Sequence, residues 1–306
     1  MTDKYQRVDF RDQISKNNWK TFLLISFIFI ILIIFGYAIS FAFSPGYFFL
    51  IMILAIVFSI SYIIFSYYNS DKIALASVKA KKASRTEYKE YYSLVEGLTI
   101  ASGLPMPRLY VMNSEQINAF ASGRNPEKAV ICVTTGTLKK LEKRELEGVL
   151  AHELSHIANY DIKYMTLIAV MVGMIAIISE IFLRSLFFGR GEGNGKSNWI
   201  FIVIAIALAI LAPLVVWIIQ MSISRKREFN ADASAVKFTR YPQGLIKALK
   251  KIKYDTPLSA TEEKKQKISK AIAPLFFSSP FKKSKFKEIG STHPSLEKRI
   301  NVLERM

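Results

Sequence analysis

Four long apolar runs divide the chain, at residues 21–43, 46–68, 165–188 and 199–221, with amphipathic and polar stretches between and around them. Each run reaches or slightly exceeds the roughly 20 residues that a helix needs to cross the hydrocarbon core of a bilayer. The first is too long for the core of a signal peptide. The second follows almost at once with no small-residue cleavage site between them, so the first is read as an uncleaved anchor. Between the second and third runs the pattern is globular. Residues 77–102 repeat apolar positions near the helical period (Tyr88, Tyr91, Leu94, Leu98) until Pro105 and Pro107 intervene. Three short β-type runs follow at 108–112, 116–122 and 129–134, separated by Asn113-Ser114 and by a turn at 123–126. A long helical pattern resumes near Lys139 and continues towards the third apolar run. Beyond the fourth run the spacing predicts helices over about 222–239 and 243–252, and a short final helix after Pro294. Residues 255–290 are basic and interrupted. They carry an exposed-looking Leu275-Phe276-Phe277 and mix Lys with Phe, as a flap at a bilayer surface would.

Composition changes the picture in one respect. Hydrophobic residues make up 51% of the chain, yet its formal net charge is +18. A membrane protein with basic aqueous parts reconciles the two. Lys4, Arg7, Arg11, Lys16 and Lys20 precede the first run, and the Ser44-Pro45 turn after it is uncharged. Lys72, Lys79, Lys81, Lys82 and Arg85 follow the second run, and Arg225-Lys226-Arg227 follow the fourth. The positive-inside rule then puts both termini and residues 72–164 in the cytoplasm, with the Gly-rich loop 189–198 outside. The excess charge is this orientation signal plus attraction to an anionic lipid bilayer. No motif points to nucleic acid. The single cysteine, Cys132, excludes an intramolecular disulfide and agrees with a reducing compartment.

Chemistry concentrates at His152-Glu153-Leu154-Ser155-His156, which takes two of the chain's three histidines. Residues i and i+4 share a helix face, so both rings can reach one metal ion. Glu153 stands between them, placed to take a proton from water at that metal. A catalytic zinc site needs a third protein ligand. His293 is one candidate, at a loop–helix junction. Glu228 is the better one, because two apolar runs separate it from His156 and an even number of crossings returns both to one side. His156 lies nine residues before the third run and Glu228 seven after the fourth, so each sits roughly 10–14 Å beyond its span. Asp232, four residues after Glu228, can accept the free ring N–H of a ligating histidine. Alternatively, Glu228 and Asp232 are a solvated pair balancing Arg225 and Arg227. Glu180 and Arg184 read as a structural ion pair near the external end of the third run, and Pro213 as a kink.

Taken in order, 118–123 (NAFASG), HELSH with its following apolar run, 224–235 (SRKREFNADASA) and 292–300 (THPSLEKRI) resemble the HtpX-type membrane zinc endopeptidases. The prenyl-protein proteases share the site but carry more spans. The resemblance implies a mainly α, multi-pass protein with four transmembrane helices and a cytoplasmic zincin-like α+β catalytic domain containing a small β-sheet. The divisions would be a cytoplasmic segment (1–20), a hairpin of spans (21–68), a first catalytic part (69–164), a second hairpin (165–221) and a second catalytic part (222–306). One zinc would be held by His152, His156 and Glu228, with Glu153 as general base and acid. His293 or Arg299 would stabilise the oxyanion, and Asp232 and Arg225 would support the ligands. An edge strand over 117–122 would bind extended substrate through Asn118, Ala119, Phe120 and Ala121. The implied partners are unfolded or damaged membrane proteins, cleaved at the cytoplasmic face of the cell membrane, often under stress. Two alternatives stand beside this one. A transporter would place paired polar residues in mid-bilayer, where the runs have almost none. A silent scaffold would close a structural zinc with four ligands, mostly Cys and His, which a single cysteine makes hard to supply.

Overall fold

The computed structural model describes residues 19, 21–23, 25–34, 36–37, 47–167, 225–255, 275–277 and 294–306. The third and fourth apolar runs, apart from residues 165–167, lie outside the described residues. So do the loop 189–198, Glu180, Arg184, Pro213 and His293.

The second apolar run forms helix α1, Phe48–Ser77, the one helix among the described residues long and apolar enough to cross a membrane. Its 30 residues span about 45 Å. Large side chains from Phe49 to Tyr68 lie mostly half or more exposed, while Ala74 and Leu75 near its end are buried. Helical residues of the first run pack on it. A Cβ on Gly36 would fall on the Ala55 methyl, so the two backbones approach closely there. Tyr37 meets Phe48 edge to face at 6.0 Å, near the turn between the runs.

After α1 the chain turns at Lys79 (φ 53°) into β1, Lys81–Lys82. Helix α2 begins only at Lys89 and ends at Ser102, capped by Gly103 in the left-handed region. The helix expected from residue 77 is thus absent over 78–88. The apolar period begins at Tyr88, and the polar residues before it have no face to bury. The sheet order is β1-β2-β4-β3. β2 (Arg108–Met112) runs parallel to β4 (Val130–Thr134), and β3 (Ala119–Ser122) runs antiparallel to β4 at the edge. β3 is shorter than the 116–122 expected. Ahead of it, the Ile117 N–H donates to Asp255 Oδ2 (2.6 Å) and the Asn118 N–H to Thr137 Oγ1 (2.7 Å).

The long helix expected from Lys139 is two helices, α3 (Thr135–Lys140) and α4 (Lys143–Ala158). Leu141 is extended and Glu142 opens a capping box with Glu145, which restarts the helix at a new angle. α4 is buried along most of its length. It crosses α6 (Pro242–Tyr254) so closely that a Cβ on Gly148 would stand 2.6 Å from the Leu245 nitrogen. α5 (Arg225–Thr239) and α7 (Leu296–Leu303) lie further along the chain. One face of the sheet packs on α2, α4 and α6 through Leu98, Ile131, Val133, Leu150, Leu154 and Leu249. The other face meets the end of α1 through Leu75, Val78, Phe120, Val130 and Cys132. Leu275, Phe276 and Phe277, expected exposed, are 6%, 1% and 2% accessible. They flank the edge of β3. Phe276 stacks edge-on against Phe120 at 5.3 Å, and the Phe277 N–H donates to the Ala119 carbonyl at 2.8 Å.

Candidate metal centre

α4 presents His152, Glu153 and His156 to the inside of the domain, and α5 lies against it where Ser155 Oγ, bonded to the His152 carbonyl at 2.6 Å, also comes within 3.2 Å of the Ala231 carbonyl. This contact brings Glu228 beside the two rings. Glu228 Oε2 lies 3.7 Å from His152 Nε2, and Oε1 lies 3.7 Å from His156 Nε2. The two Nε2 atoms are 3.2 Å apart. One ligand atom from each of the three residues falls within 4.8 Å of the others.

Both imidazoles have a carboxylate behind them. His152 Nδ1 lies 2.9 Å from Asp232 Oδ1, and His156 Nδ1 lies 3.2 Å from Asp161 Oδ2. A carboxylate accepts, so in each neutral ring Nδ1 carries the proton and Nε2 keeps its lone pair. Two lone pairs and a carboxylate thus face one small buried volume, an arrangement that a cation stabilises. Two nitrogens held by one tetrahedral zinc at 2.0–2.1 Å would lie about 3.3 Å apart, close to the spacing here. The donor set of two histidines and one glutamate fits zinc in a hydrolytic site.

The charges behind the rings differ. Asp232 is clamped by Arg299, whose Nε and Nη2 donate at 2.8 and 2.6 Å. Arg299 is 1% exposed and carries the Phe277 ring at 4.6 Å from its Cζ. Burial, reinforced by the Arg299 charge, lowers the His152 pKa to about 4. Burial also opposes charge on His156, but its bond to Asp161 and the nearby Glu228 outweigh this and raise it to about 9. Glu153 is 1% exposed, and burial raises its carboxyl to about 7. The His156 charge and the Ala121 N–H, which its carboxylate accepts, oppose that rise.

Of the residues singled out in the sequence, the fold brings together His152, His156, Glu228, Glu153, Asp232 and Arg299. Ala119 and Ala121 of β3 adjoin the site through Phe277 and Glu153. Phe120 turns to the opposite face of the sheet. Asn118 is buried, and its Oδ1 accepts from the Ala119 N–H at 3.0 Å. Arg225 opens α5, but its side chain lies outside the described residues, as does His293 altogether. Two contributors were not foreseen. Asp161 reaches His156 because Tyr160 takes a left-handed conformation (φ 58°) just past the end of α4. Its only sequence signal is an acid five residues after the second histidine. Phe277 reaches His152, with ring centroids 4.8 Å apart.

A family model described as peptidase family M48 matches residues 85–306. Proteins described as protease HtpX homologs align along nearly the whole chain. One from Thermoanaerobacter pseudethanolicus is 40% identical, covering 95% of this chain and 96% of its own length. One from Listeria monocytogenes is 38% identical, covering 96% and 99%. Among solved structures, Ste24p from S. mikatae superposes with a TM-score of 0.50 at 18% identity, over 95% of this chain and 66% of the longer Ste24p chain.

Proposed function

Because the chain belongs to peptidase family M48 and is a zinc metallopeptidase of its HtpX group, we propose that it is a membrane-integrated endopeptidase that cleaves unfolded or damaged membrane proteins at the cytoplasmic face. The observation that carries this reading is the joining of His152, His156 and Glu228 around one point, with Glu153 on the next helical position. Bound there, zinc supplies a Lewis acid that polarises the peptide carbonyl and acidifies water. Glu153 accepts the proton of the attacking water and delivers it to the leaving amine. Burial raises that carboxyl in the metal-free site, the direction that favours its carrying a proton between water and amine. Asp232 and Asp161 hold the two rings in the tautomer that leaves Nε2 free. Arg299, engaged twice by Asp232, orients His152 through that carboxylate. The oxyanion donor in this reading is His293.

The outer edge of β3 offers main-chain groups that suit substrates of varied sequence. The Ala119 carbonyl already accepts from Phe277, so an extended substrate pairing there displaces residues 275–277. The two proposed hairpins, 21–68 and 165–221, hold the catalytic parts 69–164 and 222–306 on one side of the bilayer. The exposed apolar surface of α1 supports this placement, since lipid is the solvent it fits. The test is a casein cleavage assay beside metal analysis. Glu153→Ala is expected to retain zinc and lose cleavage by about 1,000-fold or more. Undiminished cleavage would remove Glu153 from the mechanism.

A further inference from the structure

A second site lies away from the metal, at the level where α1 leaves its apolar stretch. A cavity of about 440 Å³ is lined by Tyr67, Tyr68, Arg124, Asn125, Tyr160 and Lys163. We propose that it seats the phosphodiester headgroup of an anionic phospholipid. The proposal rests on the reading of α1 as a membrane span.

Position is the first argument. On α1 the large exposed apolar side chains end at Tyr68; three residues on, Asp71 pairs with Arg108 of β2. Tyr67 and Tyr68 therefore stand at the boundary between lipid and water, where tyrosine is favoured. Ile64 and Phe65, one turn below Tyr68 on the same face, are each 53% exposed. Acyl chains lying along them would lead a headgroup to this cavity.

Charge is the second. Among the described residues no acid lines the cavity. Arg124, at the tip of the β3–β4 connection, lies over the Tyr68 ring at 4.7 Å, and Lys163 lies over Tyr67 at 5.9 Å. Among the described residues Arg124 has no acidic partner. A ring contact consumes none of the guanidinium N–H donors, so they remain for phosphate oxygens.

The third argument is strain. Tyr160 holds φ at 58° just past the end of α4, a place where glycine is the usual residue. The backbone turn serves Asp161, and glycine would make that turn without cost. Tyrosine stands there instead and lines the cavity.

The test uses the full chain in phosphatidylcholine nanodiscs doped with about one-tenth phosphatidylglycerol, with bound lipid read by native mass spectrometry. The wild type is expected to retain phosphatidylglycerol over phosphatidylcholine, and the pair Arg124→Gln with Lys163→Gln to retain it about tenfold less. Lys139→Gln, removing an exposed charge elsewhere, should match wild type. Tyr160→Gly should keep or raise the melting temperature and still weaken retention. Equal retention by wild type and the double variant, equal binding of the two lipids, or displacement by millimolar inorganic phosphate would each overturn the headgroup site. Alkaline carbonate separates the two readings. A wild type that stays in membranes but shows no lipid preference defeats the site alone, whereas one that carbonate strips off defeats the span as well.

Discussion

The two ligating imidazoles share a helix face but not an environment. Burial and the Arg299 charge hold His152 near 4, whereas the bond to Asp161 and the Glu228 charge overcome burial and hold His156 near 9. In the metal-free site at neutral pH, His152 is therefore already neutral and His156 carries a proton. Zinc must displace the His156 proton, so its affinity rises with pH up to about 9. The expected slope is about tenfold per pH unit between 6 and 8, read by competition with a chelator. A flat dependence would contradict the assignment of Asp161 and Glu228 as the groups facing His156. Removing charge behind the ring should also show directly. Asp161→Asn is expected to weaken zinc binding by about 10- to 100-fold while the fold stays intact by circular dichroism. The ligand motif was legible because i,i+4 spacing on a helix is a local property. Asp232 was legible for the same reason. Asp161 was not, because it arrives through a left-handed turn at a tyrosine, which no propensity announces.

At the scale of elements, the sequence pattern located strands 108–112 and 130–134 and helices α5, α6 and α7 to within a few residues. It failed where tertiary contacts override local signals. Leu141-Glu142 reads as continuous helix because both are good helix formers, yet Glu142 and Glu145 cap each other and restart the chain. Residues 275–277 read as exposed because lysines flank them, yet they close the sheet face left open beside β3. That difference is measurable. Phe276→Ala should destabilise the detergent-solubilised protein by about 3 kcal/mol in thermal or urea unfolding, since its ring is fully buried against Phe120. An unchanged midpoint would return the segment to the surface where the sequence put it.

The whole molecule divides its site between two distant stretches of chain, α4 and α5, with the third and fourth apolar runs between them. The sequence expected this arrangement from parity, since two crossings would return the chain to the same side. What parity could not supply was the contact itself, which depends on Ser155 and Ala231 meeting at the α4–α5 crossing. Nor could it supply the closure of the site, where His152, Glu153 and Glu228 are 1%, 1% and 2% exposed. The net charge of +18 belongs to this scale too, since the proposed topology uses it to orient the chain on an anionic surface. Zinc content of purified Glu228→Ala, after dialysis against chelator, tests the shared site most directly. With three ligands as assigned, wild type keeps one zinc per chain and the variant loses it, with secondary structure unchanged. A variant that holds its zinc as firmly as wild type would contradict the account at its centre.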